Sequence, residues 1–336
     1  MGSGVIGGQG YGGHGEGGHV TRGIAADSLL TDLALARGPL HSDAMRDDPQ
    51  WLAAAIAAGA KAVAVSGDRI ATAPEACALG WRPLAPESGG TPVLLDAGGP
   101  HAPNVALLLD EPASEAHDAA RLASLREIGA ELDADEAALA TTAVALAQWH
   151  RRHPRCSRCG TATTVTDAGW SRTCPDDGSI HFPRTDPAVI VLVRDPDDRA
   201  LLGRRADWPE NWFSTLAGFV EAGESVEHAV QREVFEESGV RVSPAKLAYR
   251  GSQPWPFPNS LMLGFHAWSV DGDEPTPDGA EIIEARWFTR AQIAELGARG
   301  AVRIPPPVSI ARHLIEDWFG GALDASWSRS SAASSR

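Results

Sequence analysis

The sequence lacks the features of a membrane protein and of a general nucleic-acid binder. No apolar run reaches the roughly 20 residues that span a bilayer, and no charged segment with an apolar core opens the chain. Lysine and arginine form no runs, and 29 basic residues stand against 44 acidic ones, for a net charge of −15. An acidic chain of this kind gives no long track for a phosphate backbone. We therefore expect a soluble, cytoplasmic protein with no membrane partner.

Cysteine is scarce as well, with four residues in a chain of 336. Disulfide bonds are uncommon in a cytosolic protein, so we do not expect the cysteines to be paired. Cys77 is isolated, and we expect it to be a core residue. The other three are grouped: Cys156 and Cys159 form a C-x2-C pair, and Cys174 follows after 14 further residues. Turns of this spacing let thiolates converge on tetrahedral zinc, so the pattern predicts a zinc ribbon.

The segment 218–240, GFVEAGESVEHAVQREVFEESGV, predicts a helix with a high density of acidic residues. Ser225 can cap the first turn of this helix, and Gly239 can end it in the left-handed conformation. We therefore expect a helix from Ser225 to Ser238.

Three glutamates of this helix are spaced to share one face. Glu233, Glu236 and Glu237 stand at i, i+3 and i+4, which brings their carboxylates within about one helical turn. Three like charges repel each other unless a cation lies among them, and hard divalent ions such as Mg²⁺ and Mn²⁺ prefer oxygen ligands. A diphosphate substrate would add negative charge and would need such a metal for neutralisation and for water activation. The spacing predicts a divalent-metal site.

A second segment, SQPWPFPNS at 252–260, combines three prolines with two aromatic residues. Proline cannot donate a backbone hydrogen bond and restricts the chain to extended conformations, so Trp255 and Phe257 are presented as flat surfaces. Such surfaces suit stacking on a base or on a nicotinamide ring. The segment predicts a binding site for a nucleotide.

Both segments resemble signatures of one known family. The pattern G-x5-E-x7-R-E-U-x-E-E-x-G-U of the Nudix box fits 218–240 at every fixed position, and 252–260 resembles the SQPWPFP-x-S motif of the NADH pyrophosphatases, a Nudix subfamily. Further similar strings are HFPRTDPAVI at 181–190, EIIEARWF at 281–288 and PPPVSIARHLIEDW at 305–318. The resemblance is specific from about residue 150 to residue 319.

This resemblance implies an activity and its cofactors. The expected reaction is metal-dependent hydrolysis of the pyrophosphate bond of NADH to reduced nicotinamide mononucleotide and AMP. NAD⁺ and NAD-capped RNA are implied as further substrates, and the expected ions are Mg²⁺ or Mn²⁺, with a structural Zn²⁺ in the ribbon. A homodimer is implied as the assembly.

The resemblance also assigns roles to individual positions. The implied metal ligands are the Ala217 carbonyl, Glu233, Glu237 and Glu281. Glu236 or Glu237 acts as the base, an alternative that the sequence leaves open, with Arg232 and Glu224 completing the catalytic set. The implied substrate contacts are Phe182 (where the family often has tyrosine), Phe219, Gln253, Pro254, Trp255, Pro256, Phe257, Pro258, Asn259, Ser260 and Ala311.

The ribbon departs from the family at one position. The family pattern is C-x2-C, 14 residues, C-x2-C, and the last cysteine is replaced here by Asp177. A carboxylate can bind zinc, so Asp177 is the first candidate for the fourth ligand. Asp176 and His181 are alternatives, and a metal-free ribbon is the remaining one.

We expect an α/β fold class: a Nudix α/β/α sandwich with a zinc-ribbon module and an N-terminal α+β domain without a catalytic constellation of its own. Helices are predicted at 49–59 and 133–150, the second with a capping box of Asp133 and Glu136. The predicted strands are 61–73, 91–96, 104–110, 187–195, 200–205 and 261–270, and further helices are 290–296 and 309–319. The expected domain boundaries are 1–23 (disordered Gly-rich tail), 24–150 (N-terminal domain), 151–182 (zinc ribbon), 183–322 (Nudix domain) and 323–336 (disordered tail).

Three other functions remain open. The first is a different Nudix specificity, such as ADP-ribose or coenzyme A, against which only the SQPWPFP string argues. The second is a catalytically inactive nucleotide sensor, which would have no need of the complete glutamate cluster. The third is RNA-cap removal as the main task, since recognition of the cap needs only the dinucleotide.

Overall fold

The structure, a computed structural model, describes residues 29–36, 38, 43–74, 77–98, 101–109 and 121–328. The predicted tail at 1–23 and the last eight residues of the predicted C-terminal tail lie outside these ranges. None of the helices within them is long and apolar enough to cross a membrane.

The N-terminal domain is a mixed sheet with a helix on each face. Its strand order is β4-β5-β1-β2-β6, with β3 paired to β1, and only the β1–β5 pair is parallel. Alternate residues of β1 face opposite sides: Val63 and Val65 pack with α3, whereas Ala62 packs with α1. The elements are α1 (Trp51–Ala57), β1 (Lys61–Ser66), β2 (Arg69–Thr72), β3 (Arg82–Pro83), β4 (Thr91–Asp96), β5 (Asn104–Leu108), β6 (Arg121–Ser124), α2 (Leu125–Ile128) and α3 (Ala134–Arg152).

The cap of α3 differs in part from the predicted capping box. Asp133 accepts a hydrogen bond from the backbone N–H of Glu136 at 2.8 Å, as expected. The Glu136 carboxylate, however, accepts from Leu79 N and from Trp81 Nε1, each at 3.0 Å, instead of turning back to the cap residue. A tertiary contact with the loop that follows β2 in the same domain therefore replaces the local bond of a capping box.

The zinc-ribbon module is a small sheet held against the N-terminal domain. It consists of β7 (Thr164–Thr166), β8 (Ser171–Thr173) and β9 (Ile180–His181), in the order β7-β8-β9. Trp170 Nε1 donates to Leu94 O at 2.7 Å. His150 Nε2 donates to Gly169 O at 2.8 Å while its Nδ1 accepts from Arg172 at 2.9 Å, and burial lowers the pKa of His150 to about 4. A neutral histidine thus ties the ribbon to the end of α3.

The Nudix domain is a sheet between two helical layers, which confirms the predicted α/β/α sandwich. Its order is β13-β14-β10-β11-β15, with β12 paired to β10, and β10 and β14 are parallel. Along β10, Val189 and Val191 pack beneath α4, whereas Ile190 and Leu192 pack beneath α6, so the period of two separates two cores. The elements are β10 (Asp186–Arg194), β11 (Ala200–Arg205), β12 (Leu216–Phe219), α4 (Val226–Ser238), β13 (Val242–Trp255), β14 (Ser260–Ser269), β15 (Ile282–Phe288), α5 (Arg290–Ala298) and α6 (Ile310–Phe319).

Two expectations are corrected by the structure. Cys77 is exposed rather than part of the core, because it lies in the loop after β2 and not on a strand. The C-terminal tail, expected to lack structure from residue 323, contains a 3-10 turn at Ala325–Ser328. Trp327 packs there against the Nudix core beside Gly297, so apolar burial orders a segment whose composition is otherwise polar.

Candidate active site

The helix α4 carries the glutamate cluster and has the predicted boundaries. The Ser225 hydroxyl accepts a hydrogen bond from His228 N at 3.2 Å, and Gly239 ends the helix with φ = +70°. Glycine adopts this left-handed conformation without steric cost. The glutamates are therefore presented from a helix that is capped at both ends.

Glu237 is the innermost carboxylate of this helix. It is 5 % exposed and accepts a hydrogen bond from Ala217 N on β12 at 3.2 Å. The N–H and C=O of one strand residue point to the same side, so the Ala217 carbonyl faces the same group of carboxylates. Strand β12 thus brings the Ala217 backbone beside the glutamate face of α4.

The other carboxylates of the cluster affect the charge of Glu237. Burial, followed by repulsion from Glu281 and Glu233, raises the pKa of Glu237 to about 8. Burial also raises the pKa of Glu233. Arg205, which forms an ion pair with Glu281, offsets only part of this repulsion. A hard divalent cation prefers oxygen ligands, and one bound among these carboxylates would relieve their repulsion.

Arg232 forms hydrogen bonds on the outer side of the glutamate cluster. Its guanidinium binds Glu224 through two hydrogen bonds, at 2.8 and 2.7 Å, and donates to Phe219 O at 2.9 Å. This bidentate pair lowers the pKa of Glu224 to about 2. Glu224 therefore remains charged and holds Arg232 in position.

Glu236 and Glu237 lie in different surroundings, a distinction that the sequence left open. The side chain of Glu236 is 57 % exposed and pairs with Arg232 at 3.0 Å. Glu237 is buried and faces β12. Of these two glutamates, only Glu237 lies beside the Ala217 backbone. An ion bound there would bridge α4 and β12.

Two adjoining cavities lie beside the cluster. The smaller, about 190 Å³, is lined by Glu237, Ala217 and Ala311. The larger, about 580 Å³, lies between the N-terminal and Nudix domains. They share four lining residues: Trp208, Ser214, Trp255 and Ser309. Together they form a path from the carboxylates into an aromatic pocket of the size that small-molecule ligands occupy.

The larger cavity contains residues that sequence reasoning did not single out. Arg126 comes from α2 of the N-terminal domain, and Trp208, Trp212 and Arg303 come from loops of the Nudix domain. None of them stands in a motif with a fixed spacing. The only signal in the sequence is the concentration of tryptophan in ADWPENWF, before the helix of the glutamates.

The residues of SQPWPFPNS have different environments. Trp255 lines both cavities, and its ring meets the edge of Phe257 with centroids 5.0 Å apart. Both rings pack against the core of the N-terminal domain, and the Arg126 guanidinium lies 5.1 Å from the Trp255 ring and 4.1 Å from the Phe257 ring. Of this segment, only Gln253 and Trp255 line either cavity; the others do not: Pro254, Pro256, Phe257, Pro258, Asn259 and Ser260.

Gln253 has a different arrangement from that expected of a substrate contact. It is fully buried, and its amide nitrogen donates to Ala34 O at 2.5 Å and to Val308 O at 2.8 Å. Its amide oxygen accepts from Ile310 N at 2.8 Å. Both amide protons are used, so Gln253 joins the N-terminal segment to the loop before α6.

Like Phe257, the other two phenylalanines predicted to contact substrate lie outside both cavities. Phe219 is 57 % exposed and Phe182 is 67 % exposed. Phe219 follows the Ala217 backbone on β12, whereas Phe182 follows β9 in the ribbon. Both are large apolar side chains that the described residues leave uncovered.

The zinc-ribbon residues converge as their spacing predicts. One ligand atom from each of Cys156, Cys159, Cys174 and Asp177 lies within 4.8 Å of all the others. The sulfurs of Cys159 and Cys174 are 3.5 Å apart, and Cys156 Sγ lies 3.7 Å from Asp177 Oδ2. Tetrahedral zinc with Zn–S bonds of about 2.3 Å places sulfurs roughly 3.8 Å apart, so the cluster fits this ion.

The alternative fourth ligands have other partners. Asp176 accepts a hydrogen bond from the Thr161 hydroxyl at 2.5 Å, and His181 Nε2 lies 3.2 Å from the Ser179 hydroxyl. Asp177 alone of the three carries an oxygen that faces the sulfurs.

Comparisons with known proteins agree with this arrangement. The family model of the NUDIX domain matches residues 184–306, and that of the NADH pyrophosphatase zinc ribbon domain matches residues 151–182. The NAD-capped RNA hydrolase NudC of Mycobacterium bovis is 44 % identical over 216 residues, which are 62 % of this chain and 68 % of that protein. The NAD-capped RNA hydrolase NUDT12 of Homo sapiens is 42 % identical over 201 residues, which are 56 % of this chain and 43 % of that protein.

Proposed function

The chain belongs to the Nudix hydrolases that carry an NADH pyrophosphatase zinc ribbon, and we propose that it hydrolyses the pyrophosphate bond of NADH, giving reduced nicotinamide mononucleotide and AMP. The single observation that carries this proposal is the position of the buried carboxylate of Glu237. It lines the smaller cavity, which shares four lining residues with the aromatic cavity at the domain boundary. A diphosphate at the carboxylates would leave a nucleoside within reach of the tryptophans.

The metal of this site is proposed to be Mg²⁺ or Mn²⁺, held by Glu233, Glu237, Glu281 and the Ala217 carbonyl. When bound, such an ion neutralises the diphosphate oxygens and activates the attacking water. Glu237 is the stronger candidate for the base, because Glu236 is paired with Arg232 and directed to solvent. The pair of Arg232 and Glu224 holds the loop before α4 against this helix.

Further parts of the proposal concern substrates and assembly. We extend it to NAD⁺ and to NAD-capped RNA, since the two relatives at 42 and 44 % identity are named NAD-capped RNA hydrolases. A homodimer is supported by the exposed Phe182 and Phe219, which a partner subunit would cover. The cytoplasmic location and the domain boundaries stay predictions from the sequence.

A comparison of substrates tests the proposal. Turnover of NADH, NAD⁺, ADP-ribose, coenzyme A and a short NAD-capped RNA would be measured side by side with Mg²⁺ and with Mn²⁺. We expect NADH or the capped RNA to give the highest kcat/KM. A preference for ADP-ribose or coenzyme A of tenfold or more would contradict the assigned specificity, and binding of NADH without turnover would favour the sensor.

A further inference from the structure

The larger cavity is unusual for a protein of this charge. Its lining includes two arginines, Arg126 and Arg303, and no aspartate or glutamate, although the chain as a whole carries a net charge of −15. A concave surface of one sign concentrates ligands of the opposite sign. The cavity therefore favours an anionic group in addition to an aromatic one.

The backbone of Arg303 is fixed by hydrogen bonds to the loop before β12. Its backbone N–H donates to Asn211 O at 2.6 Å, and its carbonyl accepts from Phe213 N at 2.9 Å. The Asn211 side chain donates to Gly300 O at 2.9 Å. The neighbours of Arg303 along the chain, Val302 and Ile304, are buried. The arginine and the tryptophans of this loop thus form one wall.

The guanidinium of Arg303 is available for a ligand. Among the described residues, no carboxylate or hydrogen-bond acceptor is paired with it, whereas Arg205 and Arg232 are both paired with glutamates of the cluster. Arg126 lies over the rings of Trp255 and Phe257. Arg303 is therefore the cation of the larger cavity that still needs a partner.

For the oxidised substrates, charge also decides which half this cavity accepts. The nicotinamide ring is positively charged in NAD⁺ and in an NAD cap, and the two arginines of a lining without aspartate or glutamate repel it; the dihydronicotinamide of NADH is neutral and is not repelled. Adenine is neutral and can stack on Trp208, Trp212 or Trp255, since every base offers a flat face. For NAD⁺ and NAD-capped RNA, the adenosine half therefore fits the larger cavity better, and we assign the same placement to the reduced dinucleotides.

We propose that Arg303 recognises a phosphoryl group on the ribose of the adenosine half, so that the enzyme favours dinucleotides phosphorylated at that ribose. This inference rests on the proposed function and adds a specificity residue to it. Two sources supply such a group: a 2′-phosphate, as in NADPH, or the 3′-phosphodiester that joins the NAD cap to an RNA chain. An arginine forms charge-assisted and bidentate hydrogen bonds with either.

The test compares ligands that differ by one phosphate. Dissociation constants of AMP, adenosine 2′,5′-bisphosphate and adenosine 3′,5′-bisphosphate would be measured by calorimetry for the wild type, Arg303→Met and Arg299→Met. We expect one bisphosphate to bind the wild type about 10- to 100-fold more tightly than AMP, and Arg303→Met to remove this advantage. Arg299, which is exposed and paired with Glu295, is the matched control, and its variant should retain the advantage. The preferred isomer identifies the source, 2′ for a dinucleotide and 3′ for RNA.

Turnover separates this inference from the proposed function. In Arg303→Met, kcat/KM should fall further for NADPH or for NAD-capped RNA than for NADH. Equal binding of AMP and both bisphosphates by the wild type would overturn the inference, as would an equal loss for all three ligands in Arg303→Met, and NADH hydrolysis would stand in either case. Absence of NADH hydrolysis by the wild type would instead refute the proposed function, and the binding data would still decide the role of Arg303.

Discussion

The carboxyl group of Glu233 fills the space that a side chain at Gly218 would occupy. A β-carbon built on Gly218 would overlap the carboxyl carbon and both oxygens of Glu233. The glycine that opens the Nudix box is therefore required for close approach between β12 and α4. Its backbone lies outside the left-handed region, so conformational freedom is not the reason.

Replacement of Gly218 by alanine is expected to displace Glu233 and to lower kcat for NADH by about 10²-fold or more, the scale of a lost catalytic group. The fold should survive, because the added methyl meets the end of a side chain rather than backbone. Steady-state turnover and Mg²⁺ affinity by calorimetry measure the effect. Gly321→Ala is the matched control, since nothing lies within 4 Å of its added carbon. Wild-type turnover in Gly218→Ala would refute the role of this contact.

Glu236 and Glu237 are expected to respond differently to the same substitution. Glutamine is nearly isosteric with glutamate but supplies neither a negative charge to a metal nor a site for a proton. Glu237→Gln should therefore lower kcat by about 10²-fold or more, whereas Glu236→Gln should lower it by less than about tenfold. Rates with saturating Mg²⁺ and with Mn²⁺ decide between them. A larger loss in Glu236→Gln would assign the base to the exposed residue instead.

The sequence predicted those parts of the site that depend on local spacing. The ends of α4 follow from Ser225 and Gly239, and the convergence of the ribbon cysteines follows from their turns. Strands such as Thr91–Asp96 and Ala200–Arg205 were predicted at their observed bounds, because a short apolar run bounded by turn residues is itself a local signal.

Contacts between distant segments could not be predicted in this way. Glu136 binds the loop that holds Trp81, although its spacing from Asp133 suits a capping box. Gln253 stands in the string expected to bind substrate, yet three backbone groups of two separate segments, Ala34 in one and Val308 and Ile310 in the other, satisfy its amide. Arg126 reaches the cavity only because the N-terminal domain packs against the Nudix domain. Each of these three contacts depends on tertiary packing, and the periodicity of residues along the chain contains no signal of it.

The ribbon is expected to hold about one zinc ion per chain. Asp177→Cys should tighten binding, because a fourth thiolate is a softer donor that suits zinc better than a carboxylate. Asp176→Cys is the matched control, because the Asp176 carboxylate is bound to the Thr161 hydroxyl and is not directed at the sulfurs. Elemental analysis and competition with a chromogenic chelator measure occupancy and affinity. Protein purified without chelators that contains no zinc would contradict the prediction.

The two aromatic residues of SQPWPFPNS are expected to have separate roles. Trp255 lines both cavities, so Trp255→Ala should raise KM for NADH, since a lost stacking contact is worth roughly 1–3 kcal/mol. Phe257 packs against the N-terminal core without lining either cavity, so Phe257→Ala should lower the thermal midpoint with a smaller change in KM. Kinetics and thermal unfolding of both single variants test this. An equal rise of KM in the two variants would contradict these separate roles and would mean that the segment SQPWPFPNS acts as a unit.

The raised pKa of Glu237 predicts how the metal-free protein responds to pH. Its folded-state pKa of about 8 exceeds the ordinary value of 4.5, so the folded protein binds the proton more tightly than the unfolded chain does. This contribution to stability is complete below about pH 4.5 and is lost as the pH rises through 8. His150 and His266 act in the opposite direction, because their pKa values are lowered to about 4 and the unfolded chain takes up their protons first.

Comparison with Glu237→Gln isolates the effect of this one group, since both proteins keep the two histidines. In the presence of a chelator, the thermal midpoint of the wild type should fall by several degrees relative to Glu237→Gln between pH 5 and pH 8.5. Saturating Mg²⁺ should remove most of this difference, because a bound cation stabilises the charged carboxylate and binds only the folded state. A difference in midpoint that stays constant across this range would show that Glu237 titrates normally and that the cluster does not depend on a cation for its stability.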